Sequence, residues 1–235
     1  MRLMAQKSGM GPALRRMMGH PPPPVRGTAP ARDTALMNGT RLRLFEAICN
    51  LPCSHLRALA RALGIAPPSV LWHLDRLILR GVVLKVRSGN RSVYCLPGML
   101  QQDDVGMLAF LGTGARLPAV RSALENPGLR QGELLRLSGA NSHTLSALVA
   151  RGLLEVLRDG RQRRYYPAPS LVQKRELYGR RARRFRQRLL SRLAEEGLEP
   201  EPGRYDGTFL EVRVTLGNGV SGLRLRCNPF ALGPE

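Results

Sequence analysis

Four cysteines and four histidines are the residues of this chain able to ligate a metal or do thiol chemistry, and their spacing favours neither. Cys49 and Cys53 stand four apart, but Pro52 interrupts the helix that would align them, and His55 is the one imidazole nearby. Cys95 and Cys227 are remote, so the thiols read as structural and reduced rather than as a disulfide framework. His20 and His143 stand alone. No metal and no cofactor is expected. Catalytic signatures are equally absent from the sequence: it holds no Gly-x-x-x-x-Gly-Lys, no His-Glu-x-x-His and no Gly-x-Ser-x-Gly, and Gly112-Thr113-Gly114 is too short to cradle a phosphate. The chain is therefore expected not to be an enzyme.

The chemistry it does carry is cationic. Among 235 residues, 37 Lys and Arg stand against 17 Asp and Glu, a net charge of +20, and all but Lys7, Lys85 and Lys174 of those cations are arginines. Arginine's planar fork suits bidentate contact with phosphate and guanine, so nucleic acid is the default partner. The excess is uneven: +5 over 1–36, +7 over 37–100, −1 over 101–116, +4 over 117–169, +5 over 170–200 and zero over 201–235. No run of about 18 apolar residues could span a membrane, and no apolar stretch of signal-peptide type opens the chain. A soluble, cytoplasmic protein is expected.

The elements that must position these charges follow from hydrophobic period. Residues 1–36, with the Pro21–Pro24 run and no apolar repeat, read as a disordered basic segment, and a start at Met37 or another internal methionine is one account of it. Leu42, Phe45 and Ile48 mark a helix over about 40–50. Ser54 stands as the N-cap of a second, with Leu56, Leu59, Ala60 and Leu63 on one face, ended by Gly64. Pro67 and Pro68 open a third, with Val70, Leu74 and Leu77 as its core stripe. Strands from Val82 to Val86 and from Arg91 to Leu96, about a turn at Ser88, Gly89 and Asn90, complete a helix-turn-helix with a wing.

The pattern recurs. Arg80-Gly81-Val82-Val83 matches Arg151-Gly152-Leu153-Leu154 at an offset of 71 residues, which also pairs Arg87 with Arg158, Gly89 with Gly160 and Tyr94 with Tyr165. Asp159-Gly160 reads as the second wing's two-residue turn. Gly64 lies 17 residues before Gly81, whereas Gly139 lies 13 before Gly152, so the second reader helix has lost about one turn. From Leu171 to Leu193 an amphipathic helix carries Leu171, Tyr178, Ala182, Phe185, Leu189 and Leu193 on one stripe, and Leu210, Val212, Val214 and Leu216 then alternate into a hairpin turning at Gly217-Asn218-Gly219. The expected fold is mainly α (α+β): winged helices over 37–100 and 117–169, a linker over 101–116, and a helix-hairpin appendage over 170–235.

With Val70, Leu74 and Leu77 buried, Trp72 and Arg76 face the other way, with Ser69 and Asp75 at the margins and His73 on the flank, expected to pack the helix or contact a phosphate rather than to ligate a metal. An exposed arginine is ordinarily just solvated, but on a reader helix beside a basic wing Arg76 has guanine N7 and O6 within its chemistry, Ser69 a phosphate or base, and Trp72 thymine methyls. Ser69-Val70-Leu71-Trp72-His73-Leu74 with Leu77 and Arg80-Gly81-Val82-Val83 resembles the reader helix and strand entry of ArsR-like and MarR-like winged-helix regulators, and the order of the whole is similar to tandem regulators common in archaea. The resemblance, over roughly residues 38–169, implies operator binding by the third helix and backbone contacts from Arg87 and Arg91 at the first wing and Arg158, Arg161, Arg163 and Arg164 at the second. The partner so implied is double-stranded DNA. Tandem winged helices also serve as protein-interaction scaffolds in polymerase and chromosome-organising assemblies, and nonspecific chromatin-like binding is a further rival. For assembly, Phe185 and Leu189 are expected at the contact of a homodimer; the competing expectation covers that stripe with the chain's own hairpin through Val212, Val214 and Leu225.

Overall fold

The first helix begins where an asparagine can close its open end: Asn38 Oδ1 accepts the Arg41 N–H at 3.1 Å, and α1 runs Gly39–Asn50. The computed structural model describes residues 34–217 and 219–232. A two-residue strand, β1 (Ser54–His55), leads into α2 (Leu56–Leu63), and a short turn leads into α3 (Pro67–Leu79) with its prolines at the N-terminus. The hairpin β2 (Leu84–Ser88) and β3 (Arg91–Cys95) follows, giving a sheet of order β1-β3-β2. One detail departs from expectation. Ser54 is held in β1 opposite Tyr94, so capping of α2 passes to His55, whose Nδ1 accepts the Ala58 N–H at 3.0 Å.

A second module repeats this order: α5 (Arg116–Glu125), β4 (Leu129–Arg130), α6 (Gln131–Ser138), α7 (Ser142–Ala150), β5 (Leu154–Asp159) and β6 (Gln162–Pro167), with sheet order β4-β6-β5. Gly64 and Gly139 both cap their helices in the left-handed region. The reader helices differ as the glycine spacing requires: α3 has 13 residues, α7 has 9. The segment expected to be a linker instead forms α4 (Gln102–Leu111), which buries Val105, Leu108 and Leu111.

The C-terminal part is α8 (Pro169–Glu195) and an antiparallel sheet of β7 (Glu201–Tyr205), β8 (Phe209–Leu216) and β9 (Gly219–Arg226) in that order. The expected hairpin thus gains an edge strand. Its turn residue Asn218 lies outside the described residues, as does the N-terminal segment up to residue 33. Residues 34–36 do not share the disorder expected for 1–36: Ala35 and Leu36 are buried, and the Leu36 N–H donates to Glu196 Oε2 at 3.2 Å.

Two apolar cores run through this fold. One joins the first module, the C-terminal half of α8 and the inner face of β8 and β9; the other joins the second module, α4, Leu171 and Tyr178 of α8, and Phe230 and Leu232. Phe185 and Leu189 lie in the first core with Val212, Val214 and Leu225, each at most 4 % exposed. This corrects the expected subunit contact. The lone amphipathic sheet has to bury its apolar face, and within one chain it does so against α8. Among the described residues no helix is long and apolar enough to cross a membrane.

Candidate nucleic-acid interface

The reader helix α3 is fixed from behind. Val70, Leu74 and Leu77 are each at most 1 % exposed, locked against α1 and α2, which leaves the opposite side to solvent. On that side Ser69, Trp72 and Arg76 form one stripe at helical spacing, all exposed, with Asp75 and Leu79 beside them. Trp72 is 56 % exposed, far more than an indole with no partner ordinarily is. The Arg76 guanidinium lies 5.6 Å from the Trp72 ring centroid, a cation–π distance that holds the two side chains together as one recognition surface.

His73 behaves differently from its neighbours. It is half-buried, with its ring edge-on to Trp72 at 4.9 Å, and burial followed by the nearby Arg41 charge lowers its pKa below the usual imidazole range. The lowered pKa favours the neutral imidazole, which packs edge-on against the indole.

The wings are two-residue hairpins of matching form. Ser88 pairs with Arg91 around Gly89-Asn90, and Asp159 pairs with Gln162 around Gly160-Arg161. In each, the first central residue is a glycine with φ near +60°, and neither Asn90 nor Asp159 has positive φ. The second turn is therefore one residue later than Asp159-Gly160, because Asp159 stays in the ladder, where its carboxylate accepts Arg164 Nε at 2.7 Å. A glycine leading a two-residue loop is the chemistry of a type II′ turn.

Arg87, Arg91, Arg158, Arg161 and Arg163 are exposed at or beside these turns. Arg158 and Arg163 are direct cross-strand partners, and like charges placed so repel unless an anion lies between or above them. Arg87 spends its Nε on Gly89 O at 3.2 Å. Arg164 is committed twice, to Asp159 and, through Nη1, to Gly128 O at 3.2 Å, which ties its side chain to the wing root. Arg91 also lines an open cleft of about 400 Å³ shared with His55, Phe110 and Arg151.

Sequence reasoning missed the cations around the reader. Arg57 and Arg61 are exposed one turn apart on α2, the helix that crosses the backbone in helix-turn-helix docking, and Lys85 is exposed on β2. Their signal was visible as a charged pair at i and i+4 opposite Leu59 and Leu63. Among the described residues no group of three or more His, Cys, Asp or Glu is placed to hold a metal ion.

Residues 37–83, spanning α1 to α3 and the approach to the first wing, match the family described as winged helix-turn-helix DNA-binding. Among solved structures the chain is similar to ScpB from Mycobacterium tuberculosis, at 17% identity over 57% of this chain and 93% of that chain, with a TM-score of 0.25, a likeness that carries no argument about function. No curated protein matches the chain. Fold, topology and family match together make the first module a winged helix-turn-helix.

Proposed function

We propose that this chain is a cytoplasmic, sequence-specific double-stranded-DNA-binding transcriptional regulator of the tandem winged-helix kind, ArsR-like or MarR-like, that acts by binding and not by catalysis. The observation that carries the proposal is the solvent face of α3, where Ser69, Trp72 and Arg76 stand exposed on one stripe beside a wing bearing Arg87 and Arg91. A reader helix of this polarity reads base edges in the major groove, while the wing neutralises phosphates. Arg158, Arg161 and Arg163 extend the backbone contacts to the second module. Since the α8 stripe is covered within the chain, two unequal modules on one chain favour an asymmetric site over an inverted repeat.

Selection of genomic fragments in competition with bulk DNA tests this directly. Enrichment of one short motif, lost on Trp72→Ala with Arg76→Ala, is the expected result. Binding of all fragments alike would assign a nonspecific chromatin-like role, and no retention of duplex DNA would leave the scaffold alternative.

A further inference from the structure

Six arginines lie between positions 180 and 188 of α8, and three of them line the same pocket. Arg181, Arg184 and Arg188, spaced i, i+3 and i+7, line one pocket of about 240 Å³ together with residues 98–101. Its floor is aromatic: Tyr178 and Phe185 are each 4 % exposed and lie under Arg181 and Arg188 at 5.7 and 5.9 Å. No carboxylate lines it. Asp104, which lies beneath Tyr178, is 1 % exposed and is already taken, by the Lys174 ammonium and by the Tyr178 hydroxyl at 2.6 Å. The Tyr178 oxygen in turn accepts the Gln101 N–H at 2.9 Å, and Arg188 donates to Gly98 O at 2.8 Å, so the rim is fixed to the exit of the first module.

We propose that this pocket binds a phosphate group, held by the guanidinium groups of Arg181, Arg184 and Arg188. Three cations lining one pocket over an aromatic floor, with no carboxylate in the lining, repel one another until an anion enters, and guanidinium forks match phosphate oxygens in geometry. The volume falls below the roughly 300–1,000 Å³ of pockets for drug-sized ligands, so the occupant is a small phosphorylated compound or a single backbone phosphate of a bound duplex. The free-phosphate form stands whether or not the chain reads DNA; the duplex form rests on the function proposed above.

The test uses the full chain, with Arg181→Gln/Arg184→Gln as the pocket variant and Arg180→Gln/Arg183→Gln as a control of equal charge whose side chains lie outside the pocket. Arg188 is left in place because it also holds Gly98. Thermal unfolding is measured in sodium pyrophosphate against sodium chloride of equal ionic strength, and duplex affinity is measured across a salt series. A pyrophosphate-dependent rise in Tm that survives in the control and is lost in the pocket variant assigns a free phosphorylated ligand. A salt slope lower by about two in the pocket variant than in the control assigns backbone phosphates. If pocket variant and control respond alike in both measurements, including the case in which no duplex binds and pyrophosphate has no selective effect, the pocket is not a phosphate site. Trp72→Ala with Arg76→Ala keeps the two inferences apart, since it removes base preference and leaves the pyrophosphate response intact.

Discussion

Arg76 and Arg91 carry the same charge on one module, yet their surroundings give their removal different consequences. Arg76 is tied to Trp72 on the helix face, so Arg76→Ala is expected to weaken the preferred site by about 1–3 kcal/mol and to relax selectivity at one base pair. Arg91 flanks the turn, so Arg91→Ala is expected to weaken preferred and random DNA alike and to lower the salt slope by about one. Binding isotherms on both DNA types over a salt series check the division, and a changed base preference in Arg91→Ala would overturn it. Tyr178 offers a second residue-level prediction. Burial, with the Asp104 hydrogen bond second, pushes its pKa up to about 12 from an ordinary value near 10. A raised folded-state pKa means that the stability contributed by the protonated phenol is fully present below about pH 10 and is lost as pH rises toward 12. Denaturation midpoints of the parent should fall over that window more steeply than those of Tyr178→Phe, which has no phenol to ionise.

At the scale of elements, the two reader helices are not equivalent. The exposed positions of α7 are Ser142, His143, Ser146 and Ala150, with no arginine and no large aromatic side chain among them. His143→Ala is therefore expected to change site selectivity much less than Arg76→Ala, as a selection of random duplexes by each variant would show. This inequality was legible in the sequence, because the glycines that cap a helix and enter a strand are forced by backbone conformation, and their spacing counts the residues between. The wings were legible through their own turn glycines, Gly89 and Gly160. The second turn was misplaced by one residue because the sequence does not show that Asp159 prefers the Arg164 guanidinium to a turn position. The helix α4 was invisible as an amphipath, since Met107, Ala109 and Phe110 are half-buried beside the buried Val105, Leu108 and Leu111, leaving little polar face for a period to appear. Strand β7 hid for the opposite reason: Glu201-Pro202-Gly203-Arg204-Tyr205 has no apolar alternation, and a proline is tolerated there only because the strand lies at the sheet edge.

For the whole molecule, the decisive placement is that of Phe185 and Leu189 inside the chain's own core. The sequence showed that the stripe on α8 and the apolar face of the last strands each needed a cover, but not that each covers the other, because patterning specifies a face and not its partner. Phe185→Ala is consequently expected to cost about 3–5 kcal/mol of folding stability, read from denaturant unfolding. The same variant should leave the sedimentation mass equal to that of the parent, and a lower mass would restore a subunit interface at this residue.

The 27 residues of α8 span about 40 Å as one uninterrupted rod, with Leu171 and Tyr178 in one apolar core and Ala182, Phe185, Leu189 and Leu193 in the other. Neither half of the protein can then melt alone without stripping part of the same helix from its packing, and the tail returning through Phe230 and Leu232 adds a second tie. Two modules that look separable on the bench should behave as one cooperative unit: a single calorimetric transition, with calorimetric and van't Hoff enthalpies equal. A load borne at one wing would be felt at the other as a change in the free energy of the whole.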